Sequence, residues 1–297
     1  MNLTKHHIHA LPVSTAAAAV SQHAARMRKE ASRAKRGDVD GIHDMRVASR
    51  RLRVALREAR PAGGAALEPL AERAGQITEL LGRARELDVM LLMIRSYQHE
   101  SSGLWQRAAA HAAHEIETVR ADATEACTEA AALTTHPAFA AELTAATQAL
   151  LGHQHEYLPP IGPEVARRFR KARKAYRDWR ELDIPQDLHR CRIALKKLRY
   201  AAEFYGPAYD KRMARYAAEI KTAQDLLGDW HDADVLIDAL RRIACHAPYS
   251  EVQGFPLIIE SFQHWGNAKV DAFQGWAKKF FSKPSREEFL SYCTEGE

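Results

Sequence analysis

The chain repeats itself, and a duplication constrains its fold more than any single motif. Offset by 146 residues, Ile42–Val89 aligns with Leu188–Val235 without a gap. His43 falls on His189, Arg46 on Arg192, Leu52-Arg53 on Leu198-Arg199 and Pro61 on Pro207. Farther along, LLGRARELDV (Leu80 to Val89) falls on LLGDWHDADV (Leu226 to Val235). A register held over 48 residues is hard to reach by chance, and the period is too long for a solenoid unit. It predicts two homologous halves, 13–158 and 162–297, packed on each other within one domain over 1–297. Pro159-Pro160-Ile161-Gly162-Pro163 marks the boundary between them.

Each half reads as consecutive helices. The first gives Ser14–Lys35, Gly41–Ala59, Leu67–Tyr97 and a long region from Leu104. The second gives Gly162–Glu181, Gln186–Phe204, Lys211–Ala244 and Phe255–Phe281. Breaks fall at glycine and proline, as at Gly37, Ile184-Pro185 and Gly206-Pro207. No segment alternates with period two, so the expected fold is all-α, two antiparallel helical bundles without sheet. Trp179, Trp230, Trp265 and Trp276 are expected in the core or between the halves, with Trp105 equally suited to the surface. Gly82 and Gly228, equivalent and inside helices, are expected to mark close helix approach. No run of apolar residues is long enough to span a membrane, the N-terminal stretch is a poor secretory signal, and the four cysteines are scattered. These features read as a cytoplasmic protein with no membrane partner.

Charge is segregated. Arg26–Arg60 holds 12 Lys/Arg against 5 Asp/Glu, and Arg167–Arg199 holds 13 against 4, so these segments carry +16 while the rest of the chain carries −11. At about 100° per residue, His43, Arg46, Arg50, Arg53 and Arg57 share one helix stripe roughly 80° wide. His189, Arg192, Lys196 and Arg199 share the matching stripe, ended by Glu203. The preceding helices repeat the pattern, with Arg26, Lys29, Arg33 and Arg36 in one and Arg167, Arg170, Lys174 and Arg177 in the other. Acids are nearly absent from these stripes. Like charges at i, i+3 and i+4 repel by a few tenths of a kcal/mol per pair. A polyanion would relieve that repulsion and accept charge-assisted hydrogen bonds. The plain alternative is a pair of solvated helix faces.

Nucleic acid is one such polyanion. The stripes lack interleaved aromatics for base stacking and the Asn/Gln content that reads adenine edges, which leaves nucleic acid as a nonspecific competitor. The paired I/L-H-x-x-R-x-x-x-[RK]-[RK]-L-R segments, each followed by L-L-G-x-x-[RH]-[DE]-x-D-V, resemble the CHAD family of α-helical domains. The resemblance spans roughly Val13 to Phe281. It implies two homologous four-helix bundles related by a pseudo-two-fold axis, and binding of inorganic polyphosphate on a basic surface around that axis. It further implies association with polyphosphate granules, and so with granule proteins. Matched to the motif, His43, Arg46, Arg50 and Arg53 stand in one copy and His189, Arg192, Lys196 and Arg199 in the other. His231 stands where the first copy has Arg85, and Asp88 and Asp234 are expected to orient basic side chains or bridge helices. Many family members carry a fused triphosphate-hydrolysing domain, but its E-x-E-x-K signature is absent here.

Enzyme chemistry is the remaining class. His43-Asp44 and His231-Asp232 are HD pairs of the kind that hold divalent metals in phosphohydrolases. The repeat opposes this, because Asp44 corresponds to Arg190 and His231 to Arg85. His111 with His114, His153 with His155, and His6, His7 and His9 are more often solvated or structural than zinc ligands. No phosphate loop or nucleophile elbow occurs. The expectation is a non-enzymatic binder with no catalytic residue, metal or cofactor.

Overall fold

The computed structural model describes residues 10–159 and 162–294, so His6, His7 and His9 fall outside the described residues. The described chain is all-α. In order the helices are α1 (Val13–Lys35), α2 (Val39–Glu58), α3 (Arg60–Gly63), α4 (Leu67–Glu100), α5 (Gly103–Asp122), α6 (Thr124–Thr135) and α7 (Pro137–Gly152). Then come α8 (Gly162–Leu182), α9 (Pro185–Tyr205), α10 (Lys211–Ala244), α11 (Tyr249–Val252), α12 (Phe255–Phe280) and α13 (Lys283–Thr294). The extended pairing among the described residues is one isolated bridge between Pro12 and Tyr157, which ties the start of α1 to the segment after α7. No described helix is long and apolar enough to cross a membrane.

Each half opens with the same three helices. α1 packs on α2 and α2 on α4; α8 packs on α9 and α9 on α10. The first hairpin turns through Gly37 at φ 78°, a left-handed conformation that glycine adopts without a steric penalty. Asp38 then caps α2, its carboxylate accepting from the Gly41 N–H at 2.6 Å. Gly41 itself permits the contact with α1, since a Cβ there would lie 2.5 Å from Arg33 Cβ. The equivalent turn of the second half passes through Asp183 at φ 49°; aspartate is among the residues that tolerate this region.

Behind these helices the halves differ. The buried face of α1 is small: Val20, Ala24, Met27, Ala31 and Ala34. Its counterparts on α8 are Val165, Phe169, Ala172, Tyr176 and Trp179. The aromatic face packs against rings just after α12 and in α13, with Phe169 stacked on Phe289 at 4.6 Å and Tyr176 on Phe281 at 5.4 Å. The alanine face instead admits α6 and α7 directly. The long fourth region of the first half is therefore three helices, and α13 extends the second half beyond Phe281.

Two packing expectations are corrected. Gly82 and Gly228 do not mark close approach, because an added Cβ at either would meet nothing within 4 Å. Trp265 is 38% exposed, with Lys269 Nζ 4.7 Å from its ring centroid, so its face is capped by a cation and not by a helix. Trp179 is buried in the core, and Trp230 and Trp276 pack against it from partly buried positions. Trp105 is 42% exposed.

Across the boundary, equivalent helices meet each other: α2 touches α9, and α4 touches α10. Glu58 of α2 joins the halves by accepting from Arg168 Nη2 at 2.7 Å and from the Tyr205 hydroxyl at 3.2 Å.

Candidate functional site

The meeting of α2 with α9 brings the two motif stripes to one place. Arg46 and Arg50 from α2 and Arg192 and Lys196 from α9 are all half-buried, and their charges act on one another. α4 contributes Arg85, and α10 contributes His231 and Asp232. His43 sits exposed at one rim beside Arg85, and His189 lies beside His231 at the other. Tyr200 is buried among the cations, with the Arg50 guanidinium 5.9 Å and that of Arg199 5.1 Å from its ring centroid. A ring face toward a cation is favourable and offsets part of the repulsion.

The protonation equilibria record how under-compensated this cluster is. Burial, then the charges of Arg50, Arg192, Arg46 and Arg199, push Lys196 down from 10.5 to about 8. Burial and Arg50 push Arg46 down from 12.5 to about 10. His231 falls to about 4 through burial, Arg192, His189 and Lys196. His43 and His189 are lowered too, first by burial and then by neighbouring arginines. Asp232 is the carboxylate that acts on Arg192, but burial raises its own pKa and so weakens it as a counter-ion. Among the described residues three buried guanidinium donors, the Nε atoms of Arg46, Arg53 and Arg199, have no hydrogen-bond acceptor. Buried donors without acceptors are costly in a folded protein, and an anion supplied from solution would satisfy them.

The remaining stripe positions are distributed differently. Arg53 lies against α4, where a Cβ on Gly75 would come 3.0 Å from its Cζ. Arg199 is neutralised in part by Glu203, with Nε 3.3 Å from Oε1. Arg57 pairs with Glu68 at 3.1 Å. On α1, Arg26 reaches Asp44 at 3.4 Å and Arg33 reaches Asp38 at 2.7 Å, while Lys29 and Arg36 are exposed. On α8, Arg167 pairs with Glu164 and Lys174 with Asp178. Arg170 acts on the Cys293 thiol of α13, and Arg177 lies near Arg173 on the same helix. Arg26, Arg33, Arg167 and Lys174 thus have acids close by, and the α1 and α8 stripes do not join the central cluster. Their burial patterns also superpose one residue short of the motif offset, which places Arg26 opposite Lys171 and not Arg167.

Arg85, Tyr200 and Asp232 belong to the cluster but not to the expected stripes. Arg85 could have been found from its equivalence to His231 within the repeated L-L-G segment. Tyr200 falls on Val54 in the duplication, so the repeat hides it.

Asp88 bridges helices as expected. It is buried and accepts from Arg120 Nε at 2.6 Å, while Arg120 Nη2 also donates to the Gly37 carbonyl at 3.2 Å. One arginine of α5 thereby holds α4 to the α1–α2 turn. Asp234 is exposed and makes no such bridge among the described residues. Among the described residues no group of three or more His, Cys, Asp or Glu side chains could hold a metal ion. His111 instead meets Glu251 at 3.1 Å and His153 meets Glu156 at 2.8 Å.

A duplicated all-helical scaffold whose repeated helices converge in a cation cluster is the class this geometry defines. A family profile for the CHAD domain matches residues 18–241, and the chain belongs to that family. The fold resembles the crystal structure of the CHAD domain from the plant Ricinus communis, with a TM-score of 0.66, 21% identity, and 90% of this chain and 92% of that one covered. It also resembles PptA from Streptomyces chartreusis, with a TM-score of 0.60, 16% identity, and 90% and 99% covered. No curated protein matches the sequence.

Proposed function

We propose that this protein binds inorganic polyphosphate at the central cluster, without catalysing a reaction on it. One observation carries the proposal: Arg46, Arg50, Arg192 and Lys196, from equivalent helices of the two halves, lie half-buried together, and burial with their mutual charge holds Lys196 down at about 8. Such crowding is stable only at a cost, and an anion dense in charge removes that cost. A phosphate chain carries oxygens on every side and no bases. It can present oxygens to cations from both α2 and α9 at once. Binding is electrostatic and charge-assisted, with arginine forks and the lysine ammonium donating to phosphate oxygens. Family membership is in keeping with this ligand, and association with polyphosphate granules follows as part of the same proposal. The test is a titration with long-chain polyphosphate, RNA and duplex DNA at matched salt. Tighter binding of polyphosphate supports the proposal, and preference for either nucleic acid refutes it.

A further inference from the structure

The duplication creates two grooves flanking the α2–α9 contact, and Val54 and Tyr200 line both. They are equivalent by position but opposite in chemistry. The groove between α1, α2 and α9, about 550 Å³, is lined by Gln22, His23, Arg51, Glu203 and Phe204 among others. Burial, then Arg51 and Arg26, lower His23 to about 4, so it is uncharged at neutral pH, and Arg51 lies 3.8 Å from Glu203. This groove is close to neutral.

Its counterpart, between α8, α9 and the end of α2, is about 470 Å³ and is lined by Arg57, Arg167, Arg168, Lys171, Arg190 and Lys197. Its two lining carboxylates are already engaged. Arg168 is held between Glu58 at 2.7 Å and Glu164 at 2.8 Å, and Glu164 also takes Arg167. Lys171 and Lys197 are exposed, with no acidic side chain in ion-pair range among the described residues. Register makes the divergence specific: Lys197 stands where the first half has Arg51, Arg168 where it has His23, and Arg57 where the second half has Glu203. The acid and the neutral ring of one groove are both replaced by arginine in the other.

We propose that the basic groove is a second condensed-phosphate site, built on one side of the duplicated fold and lost from the other. Arg168, immobilised by its two carboxylates, forms a rigid floor, and Lys171 and Lys197 donate from the walls, while Arg190 is already engaged by Asp187 at 2.5 Å. A long chain held at the central cluster and in this groove gains avidity that a short chain cannot. The ligand class rests on the function proposed above.

The test compares Lys197→Glu with Arg51→Glu, equivalent positions that are both exposed and suffer the same change of charge. Long-chain inorganic polyphosphate is titrated over a salt series, with melting curves to verify folding. Lys197→Glu is expected to weaken binding and to reduce the slope of log affinity against log salt by about one, as loss of a phosphate contact does in nucleic-acid systems. Arg51→Glu is expected to leave the slope unchanged, and inorganic tripolyphosphate affinity at the central cluster should survive in both. Equal losses in the two variants, or none in either, overturn the one-sided groove while leaving the central site intact. A wild-type protein that binds no polyphosphate overturns both proposals, and is recognised before any variant is compared.

Discussion

The imidazole rings of His189 and His231 lie 5.4 Å apart between centroids, tilted by 48°. One ring belongs to the motif helix α9 and the other to α10, at the position that carries Arg85 in the first half. Two rings this close beside Arg192 and Lys196 cannot both be charged cheaply, and burial, then Arg192, His189 and Lys196, hold His231 at about 4. The first half puts a permanent charge where the second puts a neutral ring.

A bound polyanion reverses that bias. It favours the protonated forms of His43, His189, His231 and Lys196, so binding takes up protons. Lys196 contributes uptake near and above pH 8 and the histidines contribute below about 7, so affinity rises as pH falls from roughly 9 to 6. Calorimetry in buffers of different ionisation enthalpy measures the uptake directly. His189→Gln with His231→Gln should reduce it at pH 6.5, and an unchanged value would remove these rings from the linkage.

Burial and crowding of Lys196 also make a stability prediction. Lys196 titrates lower in the folded chain than the 10.5 of an unperturbed lysine, so the unfolded state binds more protons between about pH 8 and 10.5. The penalty is present in full below pH 8 and disappears as pH rises through that window. Lys196→Gln should therefore stabilise the ligand-free protein at pH 7 by roughly 1 kcal/mol while weakening polyphosphate binding, a trade-off common at functional sites. Urea unfolding at pH 7 measures it. A destabilised variant would mean that Lys196 holds the helices together.

Arg120 tests the scaffold apart from the ligand. Asp88 is 7% exposed and bound by Arg120, so Arg120→Ala leaves a buried carboxylate without its partner. The expected loss is about 3 kcal/mol of unfolding free energy. The affinity of the molecules that remain folded should not change. A loss below about 1 kcal/mol would show that water replaces the arginine readily.

Helix existence was legible because apolar spacing and proline or glycine breaks agree: α10 begins at Lys211 and ends at Ala244, as its sequence suggests. The split of the first half's last region into α5, α6 and α7 was not. Its first break, at Ala123, carries no glycine or proline, and the turn depends on how α6 meets the alanine face of α1. Glycines inside α4 and α10 misled for a related reason. A missing Cβ permits close approach but does not cause it, and Gly41, Gly75, Gly162 and Gly254, not Gly82, are among the positions where neighbours press in. In the site, helical spacing located the α2 and α9 stripes but could not say which cations lack acids. Asp44 and Asp38 reach Arg26 and Arg33 from a neighbouring helix and a loop, which angular position alone does not encode, whereas Glu164 and Arg167 are an i, i+3 pair that spacing does show.

One paired measurement decides whether the α2–α9 cluster is the polyphosphate site. The double variant Arg50→Glu with Lys196→Glu is titrated with long-chain polyphosphate and melted alongside the wild type. Both residues are half-buried in the cluster and apart from the core residues Leu52 and Leu198. Reversing two charges should lower affinity by about 100-fold or more, corresponding to roughly 3 kcal/mol, with melting close to that of the wild type. Undiminished binding by a folded double variant would contradict the assignment and move the phosphate chain to another surface.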